Sequence, residues 1–227
     1  MTTTIERFSS GGTAVPWEVF MPAAPPGRCP AVLILHGSFG LLPPYRADIV
    51  SFAQALAARG IAAAMPHYLE ATDTDAGVGV FDLMASLRPA WLQVCNDALG
   101  AMAQDARFDP AHLGLLGFSL GANLALGVGM DPPAGTQPKC VVDFFGLTQG
   151  LAAHWVKLPP LLILHGTEDK LVLPSESEQI VAHLESAGKK KGRDFRFTRY
   201  EGEGHGFKGA ALVKSRDETV EFINKSI

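Results

Sequence analysis

At 227 residues, 47% hydrophobic and 19% charged, with a formal net charge of −4, the chain has the apolar content of one well-packed domain over residues 1–227. It lacks the basic excess that nucleic acid or an anionic membrane surface requires. No apolar stretch is long enough to cross a bilayer, and the opening Met1-Thr2-Thr3-Thr4-Ile5-Glu6-Arg7 has no signal-peptide core, so a cytoplasmic protein with no membrane partner is expected.

Residues 4–8 and 14–20, with Val15, Trp17, Val19 and Phe20 set among polar or small residues, read as an antiparallel strand pair at a sheet edge. Ala23-Ala24-Pro25-Pro26-Gly27-Arg28 reads as a turn. Residues 30–35 are a continuous apolar run, the pattern of a strand buried on both faces of a parallel sheet, and they lead into His36-Gly37-Ser38-Phe39-Gly40. Between 46 and 59, Ile49, Val50, Phe52, Ala53, Leu56 and Ala57 recur at helical spacing, and Gly60 stops the helix. A short strand follows at 61–65. Residues 66–79 have no periodicity and form a long loop at a strand end, where loops shape pockets; Asp73 and Asp75 in it are a solvated pair. Residues 81–106, interrupted at Pro89, are helical with Trp91, Leu92, Val94, Cys95, Ala98, Leu99 and Met102 facing inward, and the Asp109-Pro110 turn leads to the next strand. Downstream come strands at 139–144, 161–164 and 195–200 and helices at 175–187 and 210–227, with the basic run Lys189-Lys190-Lys191-Gly192-Arg193 as a solvated loop. Alternating strands and helices imply an α/β fold, with a mostly parallel sheet of about seven or eight strands, helices on both faces and active residues at the carboxyl ends of the strands.

The chain's most informative stretch is Gly117-Phe118-Ser119-Leu120-Gly121, lying between an apolar run that ends a strand and the helix formers Ala122, Leu124, Ala125 and Leu126. It reads as a strand-turn-helix elbow in which two glycines clear the approach and the serine hydroxyl is pushed toward substrate. A serine hydroxyl needs a base and a carboxylate to orient that base. Asp169, just past the strand at 161–164, is the acid expected, and His205, in the glycine-flanked loop after the strand at 195–200, is the base; the order Ser, Asp, His suits this architecture. Asp143, within Val141-Val142-Asp143-Phe144-Phe145, is a rival acid that reads as a buried structural carboxylate, and Glu168 is expected to face away from the site. His36 and His165 precede glycines at strand ends and read as turn-bracing imidazoles. The oxyanion donors expected are the backbone N–H groups of Leu120 and Ser38, with Phe39 as the next choice. Cys29, Cys95 and Cys140 are odd in number and lack ligand spacing, and none of the seven histidines makes an H-x-x-x-H pair, so free thiols, no metal and no cofactor are expected.

His36-Gly37-Ser38-Phe39-Gly40-Leu41, Ala62-Ala63-Ala64-Met65-Pro66-His67-Tyr68, Gly117-Phe118-Ser119-Leu120-Gly121-Ala122, His165-Gly166-Thr167-Glu168-Asp169 and Gly204-His205-Gly206-Phe207 together resemble the dienelactone hydrolase family of the α/β-hydrolase superfamily, from about residue 30 to 207. The resemblance implies an α/β-hydrolase fold with no large cap domain. Two positions depart from the family pattern: dienelactone hydrolases proper carry cysteine where this chain has Ser119, and glutamate where it has Gly37. Of the basic groups that hold the lactone carboxylate in the family, the chain offers only Lys208 nearby. The expected activity is therefore a serine hydrolase that cleaves a small ester or lactone through an acyl-enzyme, with Phe39, Tyr68 and Phe207 lining the substrate pocket. The same triad would serve a thioesterase or acyl-peptide hydrolase, and a catalytically idle binding module is the reading from another class.

Overall fold

Strands without polar interruption can lie only where both faces are covered, and the run Cys29–Leu35 (β3) takes the centre of the sheet, with Ala31 to Leu35 each fully buried. The computed structural model describes residues 1–23 and 27–227; the turn expected at 23–28 falls in part on 24–26, outside the described residues. β1 (Thr2–Ser10) and β2 (Thr13–Met21) form the expected antiparallel edge pair. Then follow α1 (Tyr45–Ala57), β4 (Ala62–Pro66), α2 (Met84–Gln104), β5 (Phe108–Phe118), α3 (Leu120–Met130), β6 (Val141–Phe144), β7 (Leu161–Gly166), α4 (Pro174–Ser186), β8 (Phe195–Tyr200) and α5 (Gly209–Ser226).

The eight strands lie in the order β1-β2-β4-β3-β5-β6-β7-β8, with the β1·β2 and β2·β4 pairs antiparallel and the remaining pairs parallel. The chain leaves β3 toward one side to make β4 and returns across it to make β5. β3 and β5 are therefore neighbours whose outgoing connections diverge, in register from Ala31 opposite Leu113 to Leu35 opposite Gly117. Such a switch point leaves a crevice at the carboxyl ends of the two strands. Two apolar layers cover the sheet. Ile49, Phe52 and Leu56 of α1 pack with Val220 and Ile223 of α5 on one face, while Trp91 and Leu99 of α2, Leu124 of α3 and Ile180 of α4 cover the other.

Three local readings need correction. The α2 helix begins at Met84, not at 81, because Val78–Leu83 winds as a 3-10 turn. Pro89 lies inside α2 without ending it: it forfeits one backbone bond, and the buried Trp91, Cys95, Ala98, Leu99 and Met102 hold the helix regardless. The Asp109-Pro110 turn is absorbed into β5, where Cys29 pairs with Phe108 but Ala31 with Leu113, so residues 109–112 bulge out; Asp109 Oδ1 caps the bulge by accepting from Ala111 N at 2.9 Å. The 66–79 loop contains a further 3-10 turn, Glu70–Thr72.

The elbow is where backbone meets backbone. A Cβ on Gly121 would lie 2.1 Å from the carbonyl oxygen of Leu35, and one on Gly117 would lie 2.3 Å from that of Gly121. Gly100, inside α2, has nothing within 4 Å of such a Cβ. Gly121→Ala is expected to destabilise the protein by about 3 kcal/mol or more, since backbone must move. Gly100→Ala is expected to stabilise it by about 0.5–1 kcal/mol, through helix propensity alone. Urea unfolding of the two variants checks both signs.

Candidate active site

Ser119 sits between β5 and α3 with φ 56° and ψ −117°, a conformation that costs a residue with a Cβ about 1–3 kcal/mol. Neighbouring strands hold it there: its N–H donates to Phe144 O of β6 at 2.8 Å, and its carbonyl accepts from Ala122 N at 2.9 Å at the start of α3. The residue is 4% exposed, and its Oγ, buried, has no hydrogen-bond partner among the described residues.

The loop after β8 carries His205 back over the end of β7. Glu168 N donates to Glu203 O at 2.9 Å, and the contact is so close that a Cβ on Gly166 would lie 2.2 Å from that same oxygen. Gly206, at φ 100°, completes the bend. His205 Nδ1 lies 2.7 Å from Asp169 Oδ2, and the Phe145 ring packs 4.6 Å from the imidazole, centroid to centroid. A proton held on Nδ1 by this carboxylate leaves Nε2 as the basic nitrogen, and Ser119 and His205 line one pocket.

Asp169 is fully buried in its side chain, and its oxygens are all used. Oδ1 accepts from Leu171 N at 2.9 Å and Val172 N at 3.0 Å, while Oδ2 faces His205 and, at 3.3 Å, His165 Nε2. Burial pushes this carboxyl up, but the hydrogen bonds from His165 and His205 outweigh it and hold the group well below the usual carboxylate range. It stays ionised at any working pH. His165 is a brace: its Nε2 donates to Val172 O at 2.9 Å and its Nδ1 accepts from Ser177 Oγ at 2.7 Å. Glu168 is exposed.

Asp143 has the opposite environment. It is fully buried, with Oδ1 accepting from Gly146 N at 3.0 Å and Oδ2 without a partner among the described residues, and burial pushes its carboxyl up to about 6. Its visible work is local. The Gly146 bond closes the turn in which Phe145 takes φ 44° and so presents its ring to His205.

At the crevice, neither the Ser38 nor the Leu120 N–H donates to a protein acceptor among the described residues. The Ser38 carbonyl is pinned from behind by Gly77 N at 2.8 Å. The 66–79 loop thus braces the β3 loop and contributes no residue to the pocket wall. Tyr68 is likewise not a pocket residue. It is fully buried on the α2 side of the sheet, its hydroxyl donating to His36 O at 2.6 Å and its ring stacked on His36 at 4.2 Å. Burial takes the His36 imidazole down to about 4, so His36 is a neutral support.

The pocket itself encloses about 650 Å³, open mouth included, on the sheet face covered by α1 and α5. Phe39 and Phe207 line it, together with Phe118, Phe144 and Phe145 from the strand ends, Tyr45, Asp48, Ile49 and Phe52 from α1, and Leu212 and Ser215 from α5. The helix contributions escape sequence reasoning, because an inward apolar position on an amphipathic helix looks the same whether it meets a strand or a cavity. Phe145 had one signal, its place just past a strand end beside Asp143. All three cysteines are buried, free and away from the pocket.

The family profile "Dienelactone hydrolase family" matches residues 18–220, and the chain belongs to that family. No curated protein sequence matches it. Among solved structures it is similar to a Klebsiella pneumoniae subsp. pneumoniae MGH 78578 protein assigned as a dienelactone hydrolase, at TM-score 0.82 and 18% identity over 99% of this chain and 98% of that one. It is similar also to the dienelactone hydrolase-like promiscuous phosphotriesterase P91 from metagenomic libraries, at 0.81 and 18% over 99% and 98%. A third is Thermogutta terrifontis esterase 2 phosphoramylated by tabun, at 0.75 and 19% over 98% and 94%. The eight-stranded, mostly parallel sheet is the α/β-hydrolase fold these proteins share.

The two buried carboxylates separate by experiment. Asp169→Asn is expected to cut kcat by about 10⁴-fold, by presenting the wrong imidazole tautomer, as in the serine-protease precedent, and Asp143→Asn far less. Stability behaves otherwise. The folded Asp143 holds its proton to about pH 6 while the unfolded chain releases it near pH 4, so between these values stability falls as pH rises, by about 3 kcal/mol in all. Asp143→Asn keeps an acceptor for Gly146 N–H and removes the charge. Its stability relative to the parent is therefore expected to rise between pH 4 and pH 8, which chemical denaturation at the two pH values reads directly.

Proposed function

We propose that this member of the dienelactone hydrolase family is a serine hydrolase that cleaves a small, predominantly apolar ester or lactone through an acyl-enzyme. The observation that carries the reading is the 2.7 Å contact of His205 Nδ1 with an ionised, fully engaged Asp169, in a pocket shared with the strained and unpartnered Ser119 hydroxyl. His205 Nε2 takes the hydroxyl proton as Ser119 Oγ attacks the carbonyl carbon. The oxyanion that forms is met by the N–H groups of Leu120 and Ser38, each such donor being worth about 3 kcal/mol in the transition state. The imidazolium returns the proton to the leaving alkoxide, and water attacks the acyl-enzyme by the same route in reverse. Asp169 stabilises the imidazolium without taking the proton.

Gly37 supports serine over thiol chemistry. Its Cβ position lies 3.3 Å from Ser119 Cβ and 4.0 Å from Oγ, so the glutamate of dienelactone hydrolases proper would stand against the nucleophile, and here that space is empty of charge. A carboxylate-bearing lactone has no evident partner, since Lys208 is exposed and does not line the pocket. The three buried free thiols fit a reducing, cytoplasmic setting, and the partner proposed is the small-molecule substrate.

Ser119→Ala is expected to abolish labelling by a fluorophosphonate and to lower kcat for p-nitrophenyl esters by about 10⁶-fold, with the circular dichroism spectrum unchanged. A labelled peptide that maps to any other residue overturns the assignment. Ser119→Cys is expected to be a weak enzyme, since no carboxylate manages the thiol, and Gly37→Glu is expected to slow the serine form by crowding it; rates for parent, single and double variants test this.

A further inference from the structure

Among the described residues that line the pocket beside Ser119, Asp48 is the one acidic residue, and there is no lysine or arginine. Asp48 stands in the first turn of α1 and is exposed. Among the described residues its carboxylate enters no hydrogen bond or ion pair; Ser51 Oγ bonds its backbone carbonyl instead. The cation two residues before it is engaged elsewhere, Arg46 donating to Glu18 Oε2 at 2.5 Å. On α5, the helix across the pocket, Lys214 lies over the Tyr200 ring at 5.6 Å, and Lys208 precedes the first turn; neither lines the pocket. Beside Asp48, Tyr45 stacks on Phe39 with ring centroids 4.7 Å apart, and both rings line the same space. A carboxylate set beside aromatic faces suits an ammonium group, because acid and ring quadrupoles attract it together. A substrate carboxylate brought to the same place meets repulsion from Asp48, with no lysine or arginine among the described residues that line the pocket.

We propose that Asp48, with Phe39 and Tyr45, selects the substrate by charge: esters with an arm ending in an ammonium group are favoured over uncharged ones, and arms ending in a carboxylate are rejected. The proposal rests on the hydrolase reading above and adds the substrate class to it. Because Asp48 is exposed and its field screened, the selection amounts to about tenfold in kcat/KM between cationic and anionic arms, and it weakens with added salt.

Three p-nitrophenyl esters of equal arm length, the 6-aminohexanoate, the heptanoate and the hemipimelate, test it. The expected order of kcat/KM is ammonium, then methyl, then carboxylate. The ammonium-to-carboxylate ratio is expected to fall about tenfold in Asp48→Asn, to invert in Asp48→Lys, and to shrink in the parent as sodium chloride is added. A ratio that neither substitution moves overturns the proposal. If the parent cleaves none of the three esters, the hydrolase reading fails and charge selection is read from binding alone. Calorimetry with hexyltrimethylammonium chloride and sodium hexanoate then decides: tighter binding of the cation, lost in Asp48→Asn, sustains the proposal, and equal binding of the two overturns it.

Discussion

The approach of α3 to the end of β3 is the constraint on which the site depends. With a Cβ position 2.1 Å from the Leu35 carbonyl oxygen, Gly121 lets the helix backbone rest on the strand backbone. Only that distance brings the first N–H groups of α3 beside the β3 loop, and only Gly117 leaves space for the chain to reverse between them. The strain at Ser119 is the product of this geometry. Its φ of 56° is imposed by a strand fixed on one side, through the bond to Phe144 O, and a helix fixed on the other. The hydroxyl is therefore positioned by contacts that involve no part of its own side chain.

Much of this architecture is written in residue type. The unbroken run at 30–35 can be stable only as a central strand, and two glycines flanking a serine after such a run admit few conformations. Asp169 and His205 follow from their places at the ends of β7 and β8, since a parallel sheet delivers every such end to one edge. What sequence does not carry is which side of that edge a residue turns to. Tyr68 and Phe39 each follow a strand by a few residues, yet Tyr68 rotates under the sheet to brace His36 while Phe39 faces the pocket. The choice depends on packing against α2 and α1, contacts that the residue types at 68 and 39 do not record. For the same reason the α1 and α5 walls were invisible, and so was the role of the 66–79 loop in pinning Ser38 through Gly77. Pro89 misled because a proline's local cost is small beside the burial of the helix that surrounds it.

Asp169 and Asp143 show how neighbouring strand ends in one protein give carboxylates of opposite character. Both are buried. Asp169 receives two backbone N–H groups and faces two imidazoles, so its charge is solvated by protein. Asp143 receives one N–H and leaves an oxygen without a partner among the described residues, so its charge is resisted. Burial alone does not decide whether a carboxylate keeps its charge; the count of donors aimed at it does.

The parts of the pocket have separate origins. Ser119, His205 and Asp169 stand on strand ends and on loops locked to strand backbone, whereas much of the wall, from Tyr45 to Phe52 and from Leu212 to Ser215, belongs to two helices that pack on each other outside the sheet. Phe52 packs on Phe118 of the elbow, with centroids 5.1 Å apart, but substitutions at outer positions such as Asp48 or Leu212 can change the width, polarity or depth of the cavity without touching the elbow. The elbow and most of the helical wall are thus separate mechanical units, and a lineage built on this plan can reshape the one while the other stays fixed.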